Sequence, residues 1–195
     1  NFHGTKIVHI SDIHYGSTVK NTQLKKIINQ INIIKPDIVV FTGDLIDKNI
    51  ILTNTVADNL IKNLKRIDAR LGKYAVSGNH DEYFPSYSTI LEKSDFIVLN
   101  NSYDLIYNEG YEPIFIGGVD ITTSKSDMEL MMEYFDNKDS KQENTIEPLK
   151  VNYKIVLMHK PDYIDALLNL YNIDLVLAGH SHNGQIRIPF MKPLF

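Results

Sequence analysis

Ile38-Val39-Val40-Phe41-Thr42-Gly43-Asp44-Leu45-Ile46-Asp47 begins as a short apolar run and ends in a glycine followed by two carboxylates three positions apart. A run this short and β-rich, stopped by glycine, reads as a buried strand rather than a helix. The pattern recurs four more times. Lys6-Ile7-Val8-His9-Ile10 runs into Ser11-Asp12-Ile13-His14, and Tyr74-Ala75-Val76-Ser77 into Gly78-Asn79-His80-Asp81. Ile155-Val156-Leu157-Met158 meets His159, and Leu175-Val176-Leu177-Ala178 meets Gly179-His180-Ser181-His182. In an open α/β sheet, ligands bind in the crevice outside the carboxyl ends of the strands. Residues far apart in sequence are therefore expected to converge on one spot. What converges is carboxylate, amide and imidazole: ligands for a pair of divalent metal ions.

Taken singly, each cluster has an ordinary structural reading. Asp12 and His14 fit a solvated Asp beside a packed His. Gly43 to Asp47 fits a turn with an N-capping Asp. His159 fits a plain strand-end histidine. Asn79-His80 directly after a buried strand is more specific, as is the pair His180 and His182 flanking Ser181. Five of the seven histidines lie at these strand ends, and only His3 and His9 do not. Packing does not explain that concentration, and the ordered set carries the metal-site reading.

Between the clusters the chain reads as strand–helix–strand. Leu24, Ile27, Ile28, Ile31 and Ile34 fall at helical spacing, ending at Lys35-Pro36. Val56, Leu60, Leu64, Ile67 and Leu71 predict a second helix, with Thr55 and Asp58 as capping pair and Gly72 as stop. Ser126 and Glu129 open a third through Leu130, Met131, Tyr134 and Phe135, and Pro161 a fourth with Ile164, Leu167, Leu168 and Tyr171 on one face. All four stripes read as core. Phe96–Leu99, Tyr103–Tyr107 and Pro113–Gly118 predict short strands, and Asp136 to Lys150 an exposed polar loop.

Composition bounds the function more than it identifies it. A chain of 195 residues supports one sizeable core, so a single domain over 1–195 is expected. Twenty basic against 24 acidic residues leave a net charge of −4, which argues against a nucleic-acid partner. The chain contains no cysteine, so thiolate metal sites and disulfides are excluded. Oxygen and imidazole ligands suit Mn, Fe or Zn. No stretch has transmembrane length and no signal peptide is visible, while a start at Asn1 leaves room for a removed leader or anchor.

The ordered set Asp-x-His, Gly-Asp-x-x-Asp, Gly-Asn-His-Asp, an isolated His and Gly-His-x-His resembles the calcineurin-like metallophosphoesterase superfamily over Ile7 to Pro189. The Gly43–Asp47, His159-Lys160-Pro161-Asp162 and Gly179–Gln185 blocks are similar to the bacterial YkuE/YaeI-type branch, itself similar to UDP-diacylglucosamine pyrophosphatases. The resemblance implies a four-layer α/β/β/α sandwich of two mixed β-sheets flanked by helices. It further implies that Asp12, His14 and His182 hold one metal and Asn79, His159 and His180 the other, with Asp44 bridging them. Manganese is the expected ion, with iron or zinc as the other candidates. A water shared between the ions becomes the nucleophile. His80 stabilises the transition state or protonates the leaving oxygen, with Asp47 orienting its ring. The implied substrate is a small-molecule or lipid-linked phosphodiester, pyrophosphate or phosphomonoester. The implied setting is bacterial, in the cytoplasm or peripherally at a membrane, with no obligate protein partner.

Two departures from the branch stand out. Its usual Gly-His-Thr-His-Gly-Gly-Gln is here Gly179-His180-Ser181-His182-Asn183-Gly184-Gln185. The apolar ending Pro189 to Phe195 also reads like the middle of a domain, so further strands are expected beyond it. Competing readings are a non-catalytic scaffold on the same fold, a nuclease and a protein phosphatase. The retained ligands, the net charge and the absence of Arg-Gly substrate loops respectively disfavour them. Substrate contacts are expected from Tyr15–Lys20, Glu82–Tyr87, Thr122–Asp127 and Asn183–Arg187. Tyr15, Tyr83, Phe84 and Tyr87 are candidate aromatic contacts, and Phe84 and Tyr87 can equally begin a helix facing the core. Arg187 can reach a second phosphate or lie solvated on a strand.

Overall fold

The computed structural model describes residues 2–121, 151, 153–162, 164, 168 and 172–182. Its first sheet has the order β1 (Ile7–Ile10), β2 (Ile38–Phe41), β3 (Gly72–Ala75), β4 (Ile97–Val98), all parallel. Its second runs β5 (Ser102–Ile106), β6 (Ile114–Val119), β7 (Tyr153–Met158), β8 (Leu175–Ala178). There β5 pairs antiparallel with β6 while β6, β7 and β8 are parallel, so this sheet is mixed. Helices α1 (Asn21–Ile34), α2 (Asn54–Leu64) and α3 (Tyr87–Lys93) lie between the strands of the first sheet.

The period of two along each strand builds the layers. In β2 every residue is buried, as in a central strand covered on both faces. Val39 and Phe41 pack on one side with Leu24, Ile28 and Ile31 of α1, Leu60 and Leu64 of α2, and Ile90 and Leu91 of α3. Ile38 and Val40 point the other way, into a core shared with Ile114 and Ile116 of β6 and Ile155 and Leu157 of β7. The intervening residues Phe115, Val156 and Met158 face outward from the second sheet, where Ile164 and Ile173 pack against them. The two sheets are thus stacked face to face with helices outside, as the resemblance implied.

Several local expectations shift by a few residues. Ile34 is 47% exposed, because it is the last residue of α1 and Lys35, in the left-handed conformation, turns the chain away. Helix α2 is capped by Thr53 rather than Thr55, since its Oγ1 accepts from the amide of Val56, the first-turn donor within its reach. It ends at Leu64; Ile67 is buried in the turn that follows, and Gly72 opens β3 instead of stopping the helix. The expected helix from Ser126 and the polar loop 136–150 lie outside the described residues. Of the fourth helix, Ile164 and Leu168 are described and helical, and Leu168 is exposed. Among the described residues no helix is long and apolar enough to cross a membrane.

Candidate functional site

Parallel pairing places the carboxyl ends of β1, β2 and β3 along one edge of the first sheet, and those of β7 and β8 along one edge of the second. Beyond those ends the loops continue the pairing. Asp12, His14 and Tyr15 donate backbone N–H groups to the carbonyls of Gly43, Asp44 and Leu45, at 2.8 to 3.0 Å. Gly179 donates likewise to the carbonyl of His159. The loops after β2 and β3 touch backbone to backbone. A Cβ on Gly43 would lie 2.5 Å from the nitrogen of Gly78, and one on Gly78 would lie 2.3 Å from the nitrogen of Asp44. Only glycine permits that approach.

The side chains converge accordingly. Asp44 Oδ2 lies 3.5 Å from His14 Nε2 and 3.4 Å from His159 Nε2, so one carboxylate oxygen stands between the two sheets' contributions. His14 Nε2 faces His182 Nε2 at 3.3 Å, and His182 Nε2 is 3.5 Å from Asp12 Oδ1. Ligand atoms of Asp12, His14, Asp44 and His182 all lie within 4.8 Å of one another. Across Asp44, His159 Nε2 is 3.2 Å from Asn79 Oδ1, and the rings of His159 and His180 stand 5.1 Å apart. His159 Nδ1 meets the carbonyl of Thr42 at 2.7 Å, which fixes a proton on Nδ1 and leaves Nε2 free to coordinate. Six of the seven candidate ligands thus meet through their donor atoms, and His180 joins them by the contact of its ring with that of His159.

His80 and Asp47 lie beside them. The His80 and His14 rings are 4.4 Å apart and nearly perpendicular. Asp47 Oδ2 is 3.3 Å from His14 Nδ1 and 3.7 Å from His80 Nδ1, so it sits between the two imidazoles, closer to the first. The backbone N–H of Lys48 donates to His80 Nδ1 at 3.3 Å. An amide can only donate, so that nitrogen accepts and the His80 proton sits on Nε2.

Burial and charge set the protonation states. Against the desolvation of burial, His159 and the His80 amide hold the Asp44 carboxyl below its ordinary value. Burial likewise opposes ionisation of Asp47, but the backbone and side-chain N–H groups of Asn49 keep its carboxyl low. Burial depresses both His80 and His180. Burial acts in the same direction on His159, yet Asp44 and the Thr42 carbonyl raise it overall. A cation at His159 must displace a proton that Asp44 favours, so uptake there depends on pH. Carboxylate, amide and imidazole donors, without sulfur, form a set suited to Mn, Fe or Zn. Among the described residues, buried His14 Nδ1 has only the Asp47 carboxylate near it, at 3.3 Å, without hydrogen-bond geometry.

Some contributors carried no strong sequence signal. Asp81, 2% exposed, accepts backbone N–H groups from Asp44, Ile46 and Gly78, and burial pushes its carboxyl up to about 7. Its place at the end of Gly-Asn-His-Asp was visible; its partners were not. Asp120, just beyond β6, accepts from Ser77 Oγ at 2.7 Å. Of the aromatic candidates, Tyr15 and Tyr87 are core residues, and the Tyr87 hydroxyl donates to the Val76 carbonyl. Phe84 packs against the helical core, whereas Tyr83 is 64% exposed. It lines a cavity of about 350 Å³ with Lys48, Asn79 and Glu82. Segments 122–127 and 183–187, with Arg187, lie outside the described residues.

Comparison with known proteins bears on the same strand ends. The sequence model of the calcineurin-like phosphoesterase family matches residues 5–184. The chain is 34% identical to the uncharacterized metallophosphoesterase YkuE of Bacillus subtilis, over 99% of this chain and 63% of that protein. It is 31% identical to a Danio rerio transmembrane protein with metallophosphoesterase domain, over 94% of this chain and 41% of the relative. It is 28% identical to the UDP-2,3-diacylglucosamine pyrophosphatase LpxG of Chlamydia muridarum, over 97% of this chain and 67% of that enzyme. The chain thus spans less than two thirds of the length of the first two of these relatives.

Proposed function

The chain belongs to the calcineurin-like phosphoesterase family, and from that premise we propose that it hydrolyses a phosphodiester, pyrophosphate or phosphomonoester at a pair of divalent metal ions. The observation that carries this reading is Asp44 Oδ2, within 3.5 Å of a histidine from each sheet, at the centre of a cluster of oxygen and imidazole donors. Asp12, His14 and His182 would hold one ion and Asn79, His159 and His180 the other, with Asp44 available to both. When bound, such a pair supplies Lewis acidity at the phosphoryl oxygens and a water acidified to near neutrality. Manganese is the first candidate, with iron or zinc as alternatives.

The remaining chemistry falls to the chain itself. His80, kept neutral by burial and held in its Nε2–H form by the Lys48 amide, offers a hydrogen bond to an oxygen where charge develops. Asp47 Oδ2 lies 3.3 Å from His14 Nδ1 and orients that ring, whereas the Lys48 amide, in place of Asp47, holds the ring of His80. The cavity of Lys48, Asn79, Glu82 and Tyr83 opens beside His80 and takes the part of the substrate that leaves. The name of LpxG suggests a lipid-linked pyrophosphate as one substrate to try, which fits peripheral association with a membrane.

Hydrolysis of an aryl phosphodiester and the matching monoester, with Mn²⁺ and then with chelator, tests the proposal. Chelator-sensitive turnover is expected. Asp44→Asn should lose metal and activity together. His80→Ala should keep both ions and lose about 10²–10⁴-fold in kcat. Full turnover in His80→Ala would remove that residue from the chemistry. Absence of turnover with two ions bound and a panel of phosphate esters would favour a scaffold instead.

A further inference from the structure

We infer that Asp81 is a positioning residue that clamps the loop of Asp44 to the loop of Asn79 and His80, and so sets the place of the shared metal ligand. This inference rests on the reading of Asp44 as that ligand. The two loops follow adjacent strands β2 and β3, and each holds the other by a carboxylate. Asp81 Oδ2 accepts from the backbone of Asp44 at 2.7 Å and from Gly78 at 3.0 Å, while Oδ1 accepts from Ile46 at 3.1 Å. In return, Asp44 Oδ1 accepts from the backbone of His80 at 2.8 Å. The exchange is reciprocal: a carboxylate of each loop takes amides of the other.

Three features make this more than a local turn. Asp81 is 2% exposed, so its oxygens have no water to turn to, and neither have the three amides. Its donors flank Asp44 on both sides, at Asp44 itself and at Ile46, and Asp44 holds the left-handed conformation with φ 58°. A non-glycine residue keeps that conformation only when its surroundings over-determine it. The clamp supplies the constraint, and it aims Oδ2, left free by the His80 amide on Oδ1, at His14 and His159. Asn79 and His80 lie between Gly78 and Asp81, so the same carboxylate fixes where their side chains leave the backbone.

Asp81→Asn is nearly isosteric but places an NH₂ group against one or more of the amides, so the clamp opens while the volume stays filled. In a Mn²⁺ titration followed by calorimetry and by the electron paramagnetic resonance signal of a coupled ion pair, the wild type should bind two coupled ions. The folded, metal-free variant should show cooperative unfolding yet bind about 10–100-fold more weakly, with the coupled signal lost. A merely structural Asp81 would lower the unfolding midpoint and leave affinity and coupling unchanged in the folded fraction. That result would overturn the inference while leaving the metal-centre reading intact. A wild type that takes up no ion pair would overturn both. Should Asp81→Asn fail to fold, amide hydrogen exchange in the wild type decides. The amides of Asp44, Ile46 and Gly78 must be protected together, and rapid exchange at any of them would overturn the clamp.

Discussion

Asp12, His14, Asp44, His180 and His182 all hold left-handed backbone conformations, with φ between 45° and 67°. They make up five of the nine described non-glycine residues with positive φ, so the strain is gathered at the site. Each such residue costs about 1–2 kcal/mol relative to a relaxed conformation. Such strain persists where tight turns must aim side chains at a common point. His180 is the simplest place to measure it, being exposed, and its backbone contact to Asp12 survives truncation of the ring. In metal-free protein, His180→Gly should be more stable than His180→Ala by about 1 kcal/mol, with metal binding weakened in both. Equal urea midpoints for the two variants would show that the turn is not strained.

At the scale of the elements, β3 is tied to two helices by a buried cation. Lys73 Nζ donates to the carbonyls of Ile67, beyond α2, and Ser94, at the end of α3, and lies 5.1 Å from the Phe96 ring centroid. Lys73→Met fills the space but leaves both carbonyls without a donor, and is expected to cost about 1–3 kcal/mol in denaturant unfolding. The pH dependence has a definite sign. Burial holds the Lys73 ammonium below its ordinary 10.5, so between the folded value and 10.5 the unfolded chain binds more protons. Stability from this residue therefore rises with pH across that window. Lys73→Met should abolish the rise, and parallel urea midpoints of the two proteins on the alkaline side would contradict it.

For the whole molecule, the consequence of the architecture is that the proposed metal centre would join the two sheets. Asp12, His14, Asp44 and Asn79 follow strands of the first sheet; His159, His180 and His182 follow β7 and β8 of the second. An ion bound by both groups stabilises the stack by mass action, about 2.7 kcal/mol when free metal is one hundred times its Kd. Mn²⁺ should raise the thermal midpoint and slow amide exchange at the ends of β7 and β8, and chelator should reverse both. Asp44→Asn should remove most of the shift. A midpoint indifferent to metal would mean that the two halves of the cluster do not share ions.

The five strand ends and the identity of nearly every converging side chain could be read from sequence, because a short apolar run stopped by Gly or Asp is a local pattern. The first two helices were legible for the same reason, though the second is capped by Thr53 rather than Thr55 and ends at Leu64, well before Gly72. The order of the motifs also carried the family, which the match over 5–184 establishes. Other features had no local signature. Asp81 meets Asp44 from 37 residues away, and His14 meets His182 from 168. The burial of Tyr15 and Tyr87, the seat of Asp47 between two imidazoles and the left-handed turns at five candidate ligands likewise arise from contacts between distant segments. Sequence by itself determined which groups stand at the strand ends, since periodicity and chain punctuation act over a few residues. Only the tertiary structure decided how those groups face one another, because that depends on loops from different strands packing backbone to backbone.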